Sequence, residues 1–346
     1  MAYTTINKST DYFNTKLWTG NGATTNALTG VGFKPDLVWG KCRSNANENR
    51  WTDVVRGVTK EIYSDLNAAQ STTANGLKAF GSDGFTVGDN SGWNGSSRTY
   101  ASWNWKASNS QGSSNTAGSI NTTYTSVNTT AGFSINQYTG NGSNATVGHG
   151  LGVAPKMVIV KKTSGTSQWY TYHASLGATK YLDLESTAAE STSSANWNNT
   201  APTTNVFSLG TNSNVNASGQ TYIAYCFAEK QGYSKFGSYK GNGNANGTFI
   251  YTGFKPAWVM VKNVSGSESW HIWDNKRSPF NLRELVLYPN GSSVEEDVGA
   301  DIDMLSNGFK LRSASTSVNG NGNSFIYMAF AEAPLVGTNN VPCTAI

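Results

Sequence analysis

The sequence predicts an all-β protein built as three tandem antiparallel β-sandwich domains, jelly-roll-like, of about 100 residues each. Three observations carry that expectation. Thr19-Gly20-Asn21-Gly22 returns as Thr139-Gly140-Asn141-Gly142 and as Lys240-Gly241-Asn242-Gly243, at offsets of 120 and 101 residues that hold over long stretches without a gap. Glycine is abundant at 37 of 346 residues and aromatics reach 12%, while charged residues stop at 13%, which leaves few Glu, Lys or Leu runs for long helices. Short alternating apolar runs are separated by Gly/Asn turns. A repeat of this length exceeds a solenoid unit and matches an independent domain.

The first domain is read as residues 1–106, the second as 119–229 and the third as 230–346 with a C-terminal tail. Residues 107–118 form a Ser/Asn/Gly tract that reads as a flexible linker, so the first domain is expected to move relative to the others. Only Lys230, Gln231 and Gly232 separate the second domain from the third, which predicts close packing there.

Each copy opens on an aromatic strand: Tyr12 through Trp18, Phe133 through Tyr138, Tyr233 through Tyr239. The Gly-Asn-Gly that follows reads as hairpin punctuation, because Asn and Gly tolerate positive φ. Next come the strongest strands, Leu37-Val38-Trp39, Met157 to Val160 and Trp258 to Val261, closed by Lys41, Lys161 and Lys262. A further strand is expected around Trp51 to Val55, Trp169 to His173 and Trp270 to Asp274. Asp65 to Thr72 and Glu185 to Thr192 read as a helical turn or a polar loop, replaced in the third copy by Glu295-Glu296-Asp297. Each copy ends on Gly84 to Gly88, Phe207 to Gly210 or Gly308 to Leu311, then on a strand: Tyr100 to Trp105, Tyr222 to Phe227, Phe325 to Phe330.

Composition narrows the function. A net charge of +4 without a Lys/Arg block argues against nucleic acid. Neither a signal-peptide core nor a membrane span is read, so no membrane insertion is expected. Cys42, Cys226 and Cys343 do not recur in register, which excludes a disulfide framework common to the domains and fits a reducing cytoplasm.

Few motifs carry chemistry. Asp53-x-x-Arg56 and Asp274-x-x-Arg277 read as local salt bridges, since the middle copy has His173 instead. His149, His173 and His271 are scattered, without metal-ligand spacing. No nucleophile elbow and no phosphate loop are found, and no cofactor is called for. The acidic run Glu295, Glu296, Asp297, Asp301 and Asp303 is read as a loop, either a solvated face or a weak calcium candidate. Trp39, Trp103, Trp105, Trp258 and Trp270 lie on strands and read as core. Trp93 and Trp197 sit among Asn and Ser without aromatic counterparts in the other copies. Two readings stand for them: contacts for a glycan or protein, or loop rings folded back over their own sandwich.

The opening Met1-Ala2-Tyr3-Thr4-Thr5-Ile6, the unit from Gly20 to Lys106 and the ending Met328 through Gly337 resemble a structural protein family widespread in tailed phages of marine bacteria. Within the unit the likeness rests on Gly32-Phe33-Lys34-Pro35-Asp36, Asp53-x-x-Arg56-Gly57-x-Thr59-Lys60 and Asp83-Gly84-Phe85. The third copy departs from the pattern, with no Thr-Lys after Asp274 to Ser278 to match Lys60 and Lys180. The resemblance covers nearly the whole chain and implies a virion component of the tail or tail-fibre kind, with no catalytic motif.

The expectation is therefore a non-enzymatic structural protein on the virion surface, a capsid decoration or knob or a compact tail-fibre part. Its partners would be other capsid or tail proteins. The chain would be a homo-oligomer, a trimer above all, or a pseudo-trimer by virtue of its three copies. A glycan-binding module recognising a host surface glycan is the alternative, and an envelope polysaccharide depolymerase is the third reading.

Overall fold

In the computed structural model, which describes residues 3–334 and Val336, the chain is all-β, with several antiparallel sheets and only single turns of helix. Cys343 and the motif ends Met1, Ala2 and Gly337 lie outside the described residues.

Each copy contributes a large and a small sheet. In the first copy the large sheet runs in the order Phe13–Thr19, Thr99–Trp105, Leu37–Cys42, Arg50–Asp53, Lys60–Tyr63, Ser71–Thr72. The second copy repeats that order from Phe133–Thr139 onward and adds Thr122–Asn128 outside it. The third keeps four strands, Ser234–Lys240, Ser324–Pro334, Phe254–Asn263 and His271–Asp274. Asn26–Thr29 pairs with Gly84–Val87 in the first small sheet, as Ala145–Gly148 pairs with Val206–Leu209 and Phe249–Tyr251 with Gly308–Leu311.

Period-two alternation explains why the central strands are apolar throughout. Val38, Val158 and Val259 face clusters confined to their own copy, packed against Phe85, Phe207 and Phe309 of the small sheets. The residues on the other face, Trp39, Ile159 and Met260, belong to one cluster drawn from all three copies. Trp105, Phe227 and Phe330 hold equivalent positions on equivalent strands and meet pairwise inside it, with ring centroids 6.1, 5.6 and 6.3 Å apart.

That common cluster overturns the expected mobility of the first copy. The tract 107–118 is pinned as well. Asp36 accepts the N–H groups of Ala107 (2.6 Å) and Asn109 (3.1 Å), and Gln111 Nε2 donates to the Val55 carbonyl at 2.7 Å. Ser113 then bridges Thr125 and Ile120 bridges Val147. Composition suggested freedom, but close backbone packing explains the glycine: a Cβ on Gly112 would lie 1.9 Å from the Thr125 carbonyl.

The Gly-Asn-Gly segments are not hairpins. Phe13–Thr19 and Asn26–Thr29 belong to different sheets, so Gly20-Asn21-Gly22 crosses between them. An asparagine from the last helical turn clamps each crossing. Asn94, Asn216 and Asn319 accept the N–H of Asn21, Asn141 and Asn242 at 3.0, 2.9 and 3.1 Å. The same amides donate to the carbonyls of Ala23, Ser143 and Asn244.

Candidate functional site

A second set of polar residues that recurs in all three copies gathers where one copy meets the next. Lys41, Lys161 and Lys262 are fully buried. Each ammonium donates to a carbonyl of its own copy, those of Asn47, Ser167 and Glu268. Each also reaches the preceding copy in the cycle: Lys161 to Asn67 (2.9 Å), Lys262 to Thr187 (2.9 Å) and Lys41 to Ser292 of the third copy (2.8 Å). Burial pushes all three pKa values down to about 8.

The receiving arms are the segments read as helical turn or polar loop. They are interface loops that end, in the first two copies, on the two-residue strands Ser71–Thr72 and Ser191–Thr192, and they dock edge to edge. Gln70 N–H donates to Thr163 O, Glu190 N–H to Val264 O and Glu295 N–H to Arg43 O, at 3.1, 3.1 and 2.8 Å. A third repeated contact comes from Asn49, Trp169 and Trp270. Their side-chain N–H groups donate respectively to Tyr288 and Gly291, to Tyr63 and Leu66, and to Asp183.

Deeper in, the Asp-x-x-Arg pairs close as ion pairs, Asp53–Arg56 and Asp274–Arg277, each at 2.5 Å with both side chains almost wholly buried. Their carboxylates also accept from the next copy: Asp53 from the Tyr225 hydroxyl (2.7 Å) and Asp274 from Trp103 Nε1 (3.0 Å). The residue matching Tyr225 and Trp103 in the third copy is Met328, which has no donor. His173 resolves this. Its Nδ1 accepts the Ser175 N–H, as Asp53 accepts that of Val55 and Asp274 that of Lys276, while Nε2 donates to the Tyr327 carbonyl at 3.2 Å. Burial pulls its pKa down to about 4, so the ring is neutral with the proton on Nε2.

The residues singled out from sequence lie elsewhere, and the structure corrects how they were read. Trp93 and Trp197 are 0% and 2% exposed, so neither ring is open to a glycan or partner. Trp93 belongs to the helical turn Ser91–Asn94 and donates to Glu61 at 2.6 Å. Glu61, itself fully buried, also takes Arg50 at 2.6 Å. Trp197 ends the turn Ser194–Trp197 and packs among Tyr172, Val215 and Phe207.

The acidic run is largely a strand, Glu296–Leu305, and its carboxylates are engaged one by one by separate partners. Glu295 bridges Arg43 (2.6 Å) and Arg277 (2.9 Å), which ties the third copy to the first. Glu296 accepts from Tyr288, Asp297 from the Gly299 N–H, and Asp303 pairs with Arg312. Asp301 is buried, and burial raises its carboxyl to about 6. Among the described residues no group of three or more His, Cys, Asp or Glu could hold a metal ion.

A cleft of about 380 Å³ opens between the second and third copies, where Lys180 and Glu190 form an ion pair beside Ser175, Ser265 and Ser324. The imidazole of His173, two residues from Ser175, is already committed at both nitrogens. The buried lysines were missed as site residues. The signal was there, as one lysine closing the same apolar run three times.

Fold and contacts together define an all-β protein whose buried polar side chains lock its sheets into a closed cycle. The chain belongs to the DUF7483 family, described as a domain of unknown function, with residues 8–334 matched. No curated protein and no solved structure matches it.

Proposed function

We propose that the chain is a non-enzymatic structural protein of a tailed-phage particle surface, three jelly-roll-like β-sandwiches closed into a pseudo-trimer. The observation that carries this reading is the meeting of Trp105, Phe227 and Phe330 at one point. The interface contacts run second-on-first, third-on-second and first-on-third, which is the pattern of a ring rather than a string. A covalent pseudo-trimer suits a threefold site on a capsid or tail, because it needs no assembly of its own and cannot dissociate. The surface location rests on the sequence resemblance.

The glycan-binding alternative loses its candidates, since Trp93 and Trp197 are buried. The test is co-sedimentation of purified protein with emptied capsids and with isolated tails. Saturable binding to one of them is expected. Saturable binding to host cells with none to either particle part would overturn the reading.

A further inference from the structure

Among the described residues nothing covers the edge of the third copy's small sheet, and the second copy shows what can cover such an edge. Phe249–Tyr251 is the outermost strand of its sheet. Leu311 N–H donates to Thr248 O and Thr252 N–H to Asn307 O, both at 3.0 Å. In an antiparallel ladder this register turns the polar groups of Ile250 inward and those of Phe249 and Tyr251 outward. The matching outward residue in the second copy is Thr146. There the chain's own segment docks: Ile120 N–H donates to Thr146 O, Thr146 N–H to Ser119 Oγ and Ser119 N–H to Thr146 Oγ1, each at 2.9 Å. The pairing is parallel, through Ile120 and Val147. Among the described residues no strand or bridge takes that place beside Phe249–Tyr251.

The side chains differ in the same sense. At the two outward positions the first copy has Ala27 and Thr29, and the second has Thr146 and Gly148. The third has Phe249 and Tyr251, 44% and 58% exposed. Exposed edges are ordinarily blunted by Lys, Pro or a covering segment, and large aromatics do the opposite. At the Tyr251 end a cleft of about 330 Å³ adjoins, lined by Tyr3, Thr252 and the Glu229–Lys235 ion pair.

We propose that this edge is a docking site for an extended, hydroxyl-rich segment of a partner polypeptide. The segment adds as a parallel strand beside Phe249–Tyr251, as Ser119 and Ile120 do beside Thr146. A hydroxyl of the segment takes the Phe249 N–H, as Ser119 Oγ takes that of Thr146, its backbone takes the Phe249 carbonyl and the outward groups of Tyr251, and its apolar side chains lie against the two rings. Nothing in this proposal depends on the particle to which the protein belongs.

The probe is a fluorescent peptide with the sequence of residues 113–122, titrated into the full chain and followed by anisotropy. The tethered segment of the second copy holds its own edge at high effective concentration, so the free peptide meets the third. Saturable binding is expected. Phe249→Pro removes an outward N–H and leaves the inward ladder intact, and should weaken binding about tenfold or more. Ala27→Pro, at the matching edge of the first copy, should leave it unchanged. If the proline variant fails to fold, Phe249→Lys with Tyr251→Lys serves in its place, with the same loss expected. Absence of saturable binding, or binding indifferent to these substitutions, would overturn the proposal. So would self-association of the wild type that Phe249→Pro abolishes, which makes the occupant a second copy. Binding of a polysaccharide but not the peptide at this edge also counts against it.

Discussion

The central cluster and the three local clusters are built from the same strands by alternate residues, yet they obey opposite rules. Locally the copies repeat: Val38, Val158 and Val259 pack on Phe85, Phe207 and Phe309. Centrally they diverge, with Trp39 matched by Ile159 and Met260, and Trp103 by Tyr225 and Met328. Each local core encloses its own volume, so this valine–phenylalanine packing recurs three times, although Trp93 stands where the other copies have Val215 and Val318. The center is a single volume filled by three unlike contributions, where a large ring from one copy requires smaller side chains from its neighbours. The axial hydrogen bonds follow suit, since His173 stands where the facing residue offers no donor.

Breaking the center should cost most. Trp105→Ala removes the ring that touches both Phe227 and Phe330, and is expected to destabilise the whole chain by about 3–5 kcal/mol. Urea denaturation should show one transition moved for all three copies. A separate early transition confined to the first copy would contradict the shared core.

A double-mutant cycle sharpens the contrast. Trp39→Ile and Ile159→Trp, combined, should show coupling of about 0.5–3 kcal/mol, because they exchange volume within one cluster. Phe85→Leu and Phe207→Leu lie in separate clusters and should be additive to within about 0.5 kcal/mol. Equal coupling in both pairs would erase the distinction.

The interface lysines give a pH signature. Their folded pKa of about 8 lies below the ordinary 10.5, so the folded chain binds protons less well than the unfolded one between those values. Stability should therefore rise as pH climbs from about 8 toward 10.5. Tyr138, Tyr225, Tyr233 and Tyr239, whose pKa values burial raises, oppose that rise once unfolded tyrosine ionises near 10. Urea midpoints measured from pH 7 to 9.5 should increase, and Lys161→Met should flatten the slope. A midpoint that falls over that range would refute the assignment.

The smallest contrast lies between the two loop tryptophans. Trp93→Phe leaves the buried Glu61 carboxylate short of a donor and should cost about 1.5–3 kcal/mol. Among the described residues Trp197 Nε1 has no hydrogen-bond partner, so Trp197→Phe loses only ring volume and should cost about 1 kcal/mol or less. Thermal melts of the two variants would rank them, and the reverse order would show that Glu61 does not depend on Trp93.

Most strands were legible because β-branched and aromatic runs between Gly/Asn turns are a local signal. The Asp-x-x-Arg braces were legible too, since three residues of spacing place both groups on one turn. The loop tryptophans were not, because polar neighbours in sequence say little about what a ring covers in space. Residues 107–118 look free by composition, yet Asp36 and Thr125, far apart along the chain, hold them. The acidic run reads as a cluster in sequence, whereas in the fold its members take separate partners, Glu295 with Arg43 and Arg277, Glu296 with Tyr288 and Asp303 with Arg312.

By itself the sequence determined the all-β class and the recurrence of one strand plan. Those are short-range properties, set by φ/ψ preference and by alternation along single strands. Only the tertiary structure decided that the copies share a core, that three strand-end lysines bind carbonyls across the junctions, and that, among the described residues, one small sheet alone shows aromatics on an uncovered edge. Each of these joins residues tens to hundreds of positions apart, and a contact at that separation leaves no pattern in either strand read alone.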